Sequence, residues 1–489
     1  MGAPRTRWDG ALSVRGPEPF LVAGAWRRGE STFEVRSPYD GGLVGEVCRP
    51  GAADVEDALA AARDAFDRTR LQPAHARAEV LVQVSQRIGE RGDELAELIA
   101  REGGKPLRWA RVEVSRAAST FRWAAEEVRR SGGEVLRLDA DASAGSRLGM
   151  VRRFPFGPVL GISPFNFPLN LVAHKMAPAL GVGAPFVLKP ATTTPLSALV
   201  LAEIAAECEL PPGALSVLPV SGAGAEPMVT DPRIAKVSFT GSGEVGWRLK
   251  GLAPRKRFTL ELGGNAGVIV HSDADVGRAA ERIAVGGNYQ AGQSCIAVQR
   301  VFVHRPIFQE LVSRLATAVE ALTVGDPLDP ATDVGPLIDH GALERVASWV
   351  DEALAGGAEA VTGGKRRDPF YEPTVLVGTR REMKVRCDEV FGPVVTVDTY
   401  DGFEEALREV NATRYGLQAG VFTRDLDRVL LAHRELAVGG VVVNDVSSFR
   451  ADQMPYGGAK ESGYGREGLR YAMEEMTEGR ILVLSDVPL

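Results

Sequence analysis

Cys295 lies in Gly292-Gln293-Ser294-Cys295-Ile296-Ala297, between a helix-like segment from Val276 to Tyr289 and a β-rich run from Ala297 to Val303. A thiol on a glycine-bearing turn between two elements can face a cleft and act, as thiolate, as a nucleophile. The position equally suits a small buried packing residue. Asn166 stands in Ser163-Pro164-Phe165-Asn166-Phe167-Pro168, where flanking prolines fix the backbone. A rigidly held amide is an oxyanion donor worth roughly 3 kcal/mol of barrier, although Asn in such a turn is also ordinary turn chemistry. Glu261 ends the apolar run Phe258-Thr259-Leu260, just before Leu262-Gly263-Gly264. A carboxylate there needs a partner or a raised pKa; the second suits a general base, the first a bond to the amides of the glycine turn.

Two further stretches suit phosphate and ribose. Gly241-Ser242-Gly243-Glu244-Val245-Gly246 follows a β-rich run and opens a helical one, the context in which G-x-G-x-x-G places a phosphate at a helix N-terminus. The acid that usually follows for the ribose has no clear match, since Glu261 comes only 15 residues after Gly246, so a plain glycine turn remains open. Lys189 ends Phe186-Val187-Leu188 and precedes Pro190, which aims its ammonium at a strand end, toward a ligand or toward solvent.

These residues need elements to hold them. From Phe154 onward short β-rich runs alternate with helical ones, which argues for a parallel sheet wrapped by helices, with ligands at the carboxyl ends of the strands. A second alternating series starts after Leu262. Before both comes a helical layer, with long patterns at 75–103 and 107–131, preceded by hairpin-like runs within residues 1–50. Residues 134–153 show no core pattern and read as an exposed arm, and the isolated apolar run Gly479 to Leu484 must pair with something.

Composition excludes several classes of function. A net charge of -7 without a basic block offers nothing to nucleic acid or an anionic membrane, so neither is expected as a partner. The four cysteines, at 48, 208, 295 and 387, have no C-x-x-C spacing, and the six histidines have no ligand spacing. No disulfide framework and no metal site are expected, and the cytoplasm is the expected setting. Arg5, Arg7 and Arg15 are followed by no apolar leader, and Met1 to Thr6 matches an acylation pattern that chance often produces.

In combination the motifs resemble the aldehyde dehydrogenase superfamily along essentially the whole chain. They are Pro164-Phe165-Asn166-Phe167-Pro168, Leu188-Lys189-Pro190, Phe239-Thr240-Gly241-Ser242, Leu260-Glu261-Leu262-Gly263-Gly264-Asn265, Gly292-Gln293-Ser294-Cys295 and Glu389-Val390-Phe391-Gly392-Pro393. The resemblance implies an α/β fold of two doubly wound parallel-sheet domains plus a β oligomerisation arm. The expected boundaries are 1–133 with 154–260 for nucleotide binding, 261–475 for catalysis, and 134–153 with 476–489 for the arm of a homodimer or homotetramer. It implies oxidation of an aldehyde to a carboxylic acid with NAD(P). In that reaction Cys295 attacks, Asn166 and the Cys295 backbone N–H hold the oxyanion, Glu261 activates water on the thioester, and Lys175 tunes the thiol and the proton relay. Lys189 and Glu389 would hold the riboses, Ser242 and Gly241 the pyrophosphate, and Ser163, Phe165 and Phe391 would line the cofactor cleft.

Two departures from the commoner family pattern are informative. Thr192 stands three residues after Lys189, where many NAD-dependent members carry a glutamate that repels a 2′-phosphate, so NADP is expected to be accepted. Ser294 replaces the basic residue of phosphate-handling members. With Phe167, His174, Arg122, Phe449 and Arg450 it predicts a pocket for a small polar aldehyde, semialdehyde or lactaldehyde-like, and the run Phe449 to Gly458 looks most like the lactaldehyde-dehydrogenase-like branch. The rival readings are a coenzyme-A-acylating enzyme, against which Glu261 argues, and an inactive structural or binding homologue.

Overall fold

The computed structural model describes residues 16–486. The N-terminal arginines, the Met1 to Thr6 pattern and the final three residues of the expected arm lie outside them.

The short apolar runs form two sheets. The first has eight strands, and its centre is parallel, in the order Leu215–Val217, Phe186–Lys189, Val159–Ile162, Lys236–Thr240, Arg257–Glu261. Nearly every residue of these strands is buried, which explains why they read as continuous rather than alternating hydrophobics. Chain order runs outward in both directions from Val159–Ile162, so the crevice between this strand and Lys236–Thr240 is a topological switch point. Ser163, Lys189, Gly241 and Glu261 all fall at the carboxyl ends of these strands.

The second sheet has seven strands, in the order Glu359–Thr362, Thr374–Val377, Val394–Tyr400, Val298–His304, Ala266–Val270, Gln418–Phe422, Gly440–Val443, all parallel except the first. Glu261 and Cys295 lie where the two sheets approach one another. Gly264 is fixed by that approach, because a Cβ there would stand 2.1 Å from the Cys295 carbonyl oxygen.

A helical layer backs the first sheet. Its long member, Leu107–Arg130, buries Glu113, which accepts from the backbone N–H groups of Leu169 and Asn170 at 2.9 and 3.0 Å while paired with the buried Lys105. A carboxylate thus serves the buried donors that the helix itself leaves unpaired at the start of Asn170–Val182, where negative charge also complements the helix dipole. That helix carries His174 and Lys175 to the site.

One expected boundary changes. Gly463–Tyr464 pairs antiparallel with Arg257–Glu261, and helix Leu469–Glu475 packs against Asn170–Val182, so 463–475 lie with the first sheet and not with the second. A two-residue strand has no periodicity to betray such a return. Beyond it, Thr477–Ser485 runs in register with Arg147–Pro155, which also pairs Glu134–Arg137, making a separate three-stranded antiparallel sheet. Among the described residues no helix is long and apolar enough to cross a membrane.

Candidate active site

The Cys295 loop is held in an unusual backbone. Helix Val276–Asn288 runs through Gly286 and Gly287, and then Gln290, Ala291 and Gly292 all adopt positive φ, at 53°, 54° and 67°. For the two non-glycine residues this costs on the order of 1 kcal/mol each or more, a strain that persists only where surrounding structure over-determines it. The surroundings here do so. Gln290 donates to the Asn166 carbonyl, Tyr289 donates to Ser294 Oγ at 2.6 Å, and Gln293 Oε1 accepts from the Ile338 amide at 2.9 Å. Gly292 tolerates no side chain, since a Cβ would meet the Gly392 carbonyl oxygen at 2.1 Å.

Asn166 joins this loop from the other side. Its Nδ2 donates to the Gln293 carbonyl at 3.0 Å, which leaves a second N–H, and its Oδ1 is buried without a partner. Cys295 Sγ lies 3.1 Å from the Tyr456 hydroxyl. Burial pushes its thiol up to about 12; the Tyr456 hydrogen bond and Arg450 oppose this, while Glu389 and Glu261 add to it.

Glu261 is buried, and neither carboxylate oxygen has a hydrogen-bond partner. Burial first, and then the like charge of Glu467, raise it well above the ordinary range against the pull of Arg450, Lys175 and Arg466. The alternative of bonding the glycine turn is therefore not what it does here. Glu467 is the opposite case. It accepts from Lys175 Nζ at 2.7 Å and Arg450 at 3.0 Å, and those cations hold it ionised despite burial. Two neighbouring carboxyl groups are thus split, one left able to carry a proton and one fixed as an anion.

At the switch point, Lys189 is buried and among the described residues reaches only Thr192 Oγ1, at 3.5 Å, and burial lowers its ammonium to about 8. Ser163 Oγ is buried without a partner, and Ser242 caps helix Gly243–Leu252 by accepting from the Val245 amide at 3.4 Å. Glu389 accepts from the Gly264 amide at 2.7 Å and is raised to about 7 by burial. Phe391 has a positive φ of 47°, its ring edge-on to Phe165 at 5.9 Å. Hydroxyl and ammonium groups with unspent donors, beside a helix start and two aromatic faces, fit a dinucleotide.

On the substrate side the two arginines of one helix are placed differently. Arg122 is solvent-exposed on Leu107–Arg130, whereas Arg116, six residues earlier on the same helix, turns inward and donates to Asp452 at 2.8 Å. Asp452 also bonds His174 Nε2 at 3.0 Å, and burial, aided by Arg450, drives that imidazole down to about 4. Arg450 stacks its guanidinium 3.7 Å above the Tyr456 ring. The Nε atoms of Arg116 and Arg450 are both buried without partners. Phe167 lies under the Lys105 ammonium at 3.9 Å, and Phe449 is half-exposed. Sequence reasoning missed Arg116, Asp452, Glu467 and Tyr456. The helical period of Leu107–Arg130 could have separated Arg116 from Arg122, but nothing local marks the other three. A cavity of about 740 Å³ at the foot of the arm, lined by Lys250, Arg257 and Tyr464, contains none of these groups.

The aldehyde dehydrogenase family model matches residues 26–482. A 3-sulfolactaldehyde dehydrogenase of Priestia aryabhattai is 44% identical over 95% of this chain and 98% of its own length. Among solved structures, aldehyde dehydrogenase 21 from Physcomitrella patens in complex with the reaction product succinate superposes with a TM-score of 0.94 at 43% identity, over 96% of this chain and 99% of that one. An NADP-dependent glyceraldehyde-3-phosphate dehydrogenase from Bacillus halodurans, complexed with NADP, gives a TM-score of 0.93 at 35% identity, over 96% and 99%.

Proposed function

This chain belongs to the aldehyde dehydrogenase family, and from that premise we propose that it oxidises a small polar aldehyde bearing a single negative charge to the carboxylic acid, with NAD(P) and without coenzyme A. Cys295 attacks the aldehyde carbon, and the oxyanion of the thiohemiacetal is held by the free Nδ2–H of Asn166 and the Cys295 backbone N–H. The bound nicotinamide supplies the hydride acceptor. Glu261, with both oxygens unengaged, takes a proton from the water that resolves the thioester. Lys189, Glu389, Ser163 and Ser242 bind the dinucleotide, and Thr192 leaves a 2′-phosphate unrepelled. Lys175 and Glu467 set the charge around the base. The four free cysteines suit a reducing cytoplasm, and the arm sheet suits a homo-oligomer.

The charge of the pocket carries the substrate reading. Arg116, Lys175 and Arg450 pair with Asp452 and Glu467, both held anionic, while His174 is neutral at pH 7 and burial disfavours the charge of Glu261. The buried Nε–H groups of Arg116 and Arg450 keep unspent donors in this low-dielectric site, where one anionic group on the substrate engages them better than a neutral aldehyde does. The names of the sulfolactaldehyde relative and the succinate-bound neighbour point the same way. The test compares kcat/KM for butanal, succinic semialdehyde and glyceraldehyde 3-phosphate. The monoanion is expected to lead the neutral aldehyde by about tenfold or more. Arg116→Gln should erase that lead and Arg122→Gln should leave it. Preference for the neutral aldehyde, or an unaffected Arg116→Gln enzyme, overturns the reading.

A further inference from the structure

We propose that Tyr456 is a catalytic residue of this chain: its phenol donates a hydrogen bond to the Cys295 sulfur whenever that sulfur is anionic, both on the nucleophile and on the leaving group of the thioester. The inference rests on Cys295 being the nucleophile of the proposed function.

Three observations carry it. The Tyr456 hydroxyl lies 3.1 Å from Sγ, and among the described residues it is the side chain within hydrogen-bonding distance of that sulfur. Either atom can donate while the thiol is protonated; once it ionises, the sulfur can only accept. The tyrosine is also held in place. It is buried, and its backbone exchanges two hydrogen bonds with Glu467, at 3.1 and 2.7 Å. The backbone that positions the phenol therefore belongs to the residue that anchors Lys175 and Arg450. Finally, the Arg450 guanidinium lies 3.7 Å from the ring centroid. A cation on the π face draws electron density from the ring and strengthens the O–H as a donor, so Arg450 is a positioning residue for Tyr456.

The chemistry follows. An enclosed thiolate is costly without a donor, and the phenol supplies one without giving up its proton, since burial keeps Tyr456 from ionising. In the thiohemiacetal the sulfur is bonded to carbon and its demand for the donor falls. When the thioester is resolved, water oxygen bonds to the acyl carbon as its proton passes to the Glu261 carboxylate. The C–S bond then breaks with its electron pair on sulfur, and the phenol is already in place to receive that charge. The two carboxylates and the phenol thus divide the work: Glu261 moves a proton, Glu467 fixes the cations, and Tyr456 holds the sulfur.

The test is the Tyr456→Phe enzyme, which keeps the ring, the stack and the backbone bonds and removes one oxygen. Iodoacetamide alkylation of Cys295 is followed by peptide mass spectrometry across pH, with no aldehyde present. The expected result is a raised apparent thiol pKa and alkylation at pH 7 slowed by about ten- to a hundredfold, the range for a hydrogen bond to a charged group. Steady-state hydrolysis of p-nitrophenyl acetate, which passes through an acyl-Cys295, should slow as well, with thermal melting unchanged. Superimposable alkylation profiles for wild type and Tyr456→Phe overturn the proposal. Should Tyr456→Phe not fold, Arg450→Lys, which retains a cation for Glu467 but loses the stacked guanidinium, is expected to slow alkylation several-fold, and no change there overturns it equally. Because no aldehyde enters the alkylation assay, its failure leaves the monoanion reading standing, and the failure of that reading leaves this result standing.

Discussion

Lys189, in its proposed place on the cofactor ribose, links burial of one side chain to a measurable cofactor preference. The ammonium is pressed down to about 8 by burial, so it is charged below that pH and neutral above it. A 2′-phosphate needs the charge, whereas ribose hydroxyls need only a donor. As pH rises from 7 to 9.5 the KM for NADP should rise by about tenfold while that for NAD changes little, and Lys189→Met should abolish the difference. Parallel KM profiles for the two cofactors would contradict this placement. Much at this scale was legible in the sequence, because Cys295, Asn166, Glu261 and Lys189 sit in short motifs whose backbone demands are local. The substrate side was not. Arg116 was passed over for Arg122 on a shared helix, and Asp452, Glu467 and Tyr456 matter only through partners far away in sequence, such as His174, 278 residues from Asp452.

At the scale of elements, the arm is the part least able to stand alone. Strand Thr477–Ser485 lies at the edge of its three-stranded sheet, and Ile481, Leu482, Val483 and Leu484 are 52, 51, 45 and 37% exposed. An edge strand with apolar residues on both faces is a pairing surface, and a second copy of the chain is the partner we expect to cover it. Replacing Leu482 and Leu484 by Asp should shift the protein to monomer in light scattering after size exclusion; an unchanged mass would mean that another surface assembles it. The need of this strand for a partner was readable from its apolar isolation. Its register with Arg147–Pro155 was not, since residues 134–153 show no periodic pattern.

For the whole molecule, alternating runs announced two α/β sheets, and the switch-point rule placed the interesting residues at strand ends. Linear order misled only where the chain doubles back. Residues 463–475 return to the first sheet, and Glu467, in the middle of that return, is what brings Lys175 and Arg450 together beside Glu261. The site is therefore built at the meeting of the two sheets and closed by the last pass of the chain. In the proposed function this assembly, as a unit, converts an aldehyde and water into an acid through a thioester on Cys295. The most direct measurement is turnover of succinic semialdehyde with NADP in ¹⁸O-labelled water, without coenzyme A. One free acid per reduced cofactor, carrying a single solvent oxygen and absent with Cys295→Ala, is the result expected. Acid formation that requires coenzyme A, or that survives in Cys295→Ala, would contradict the account.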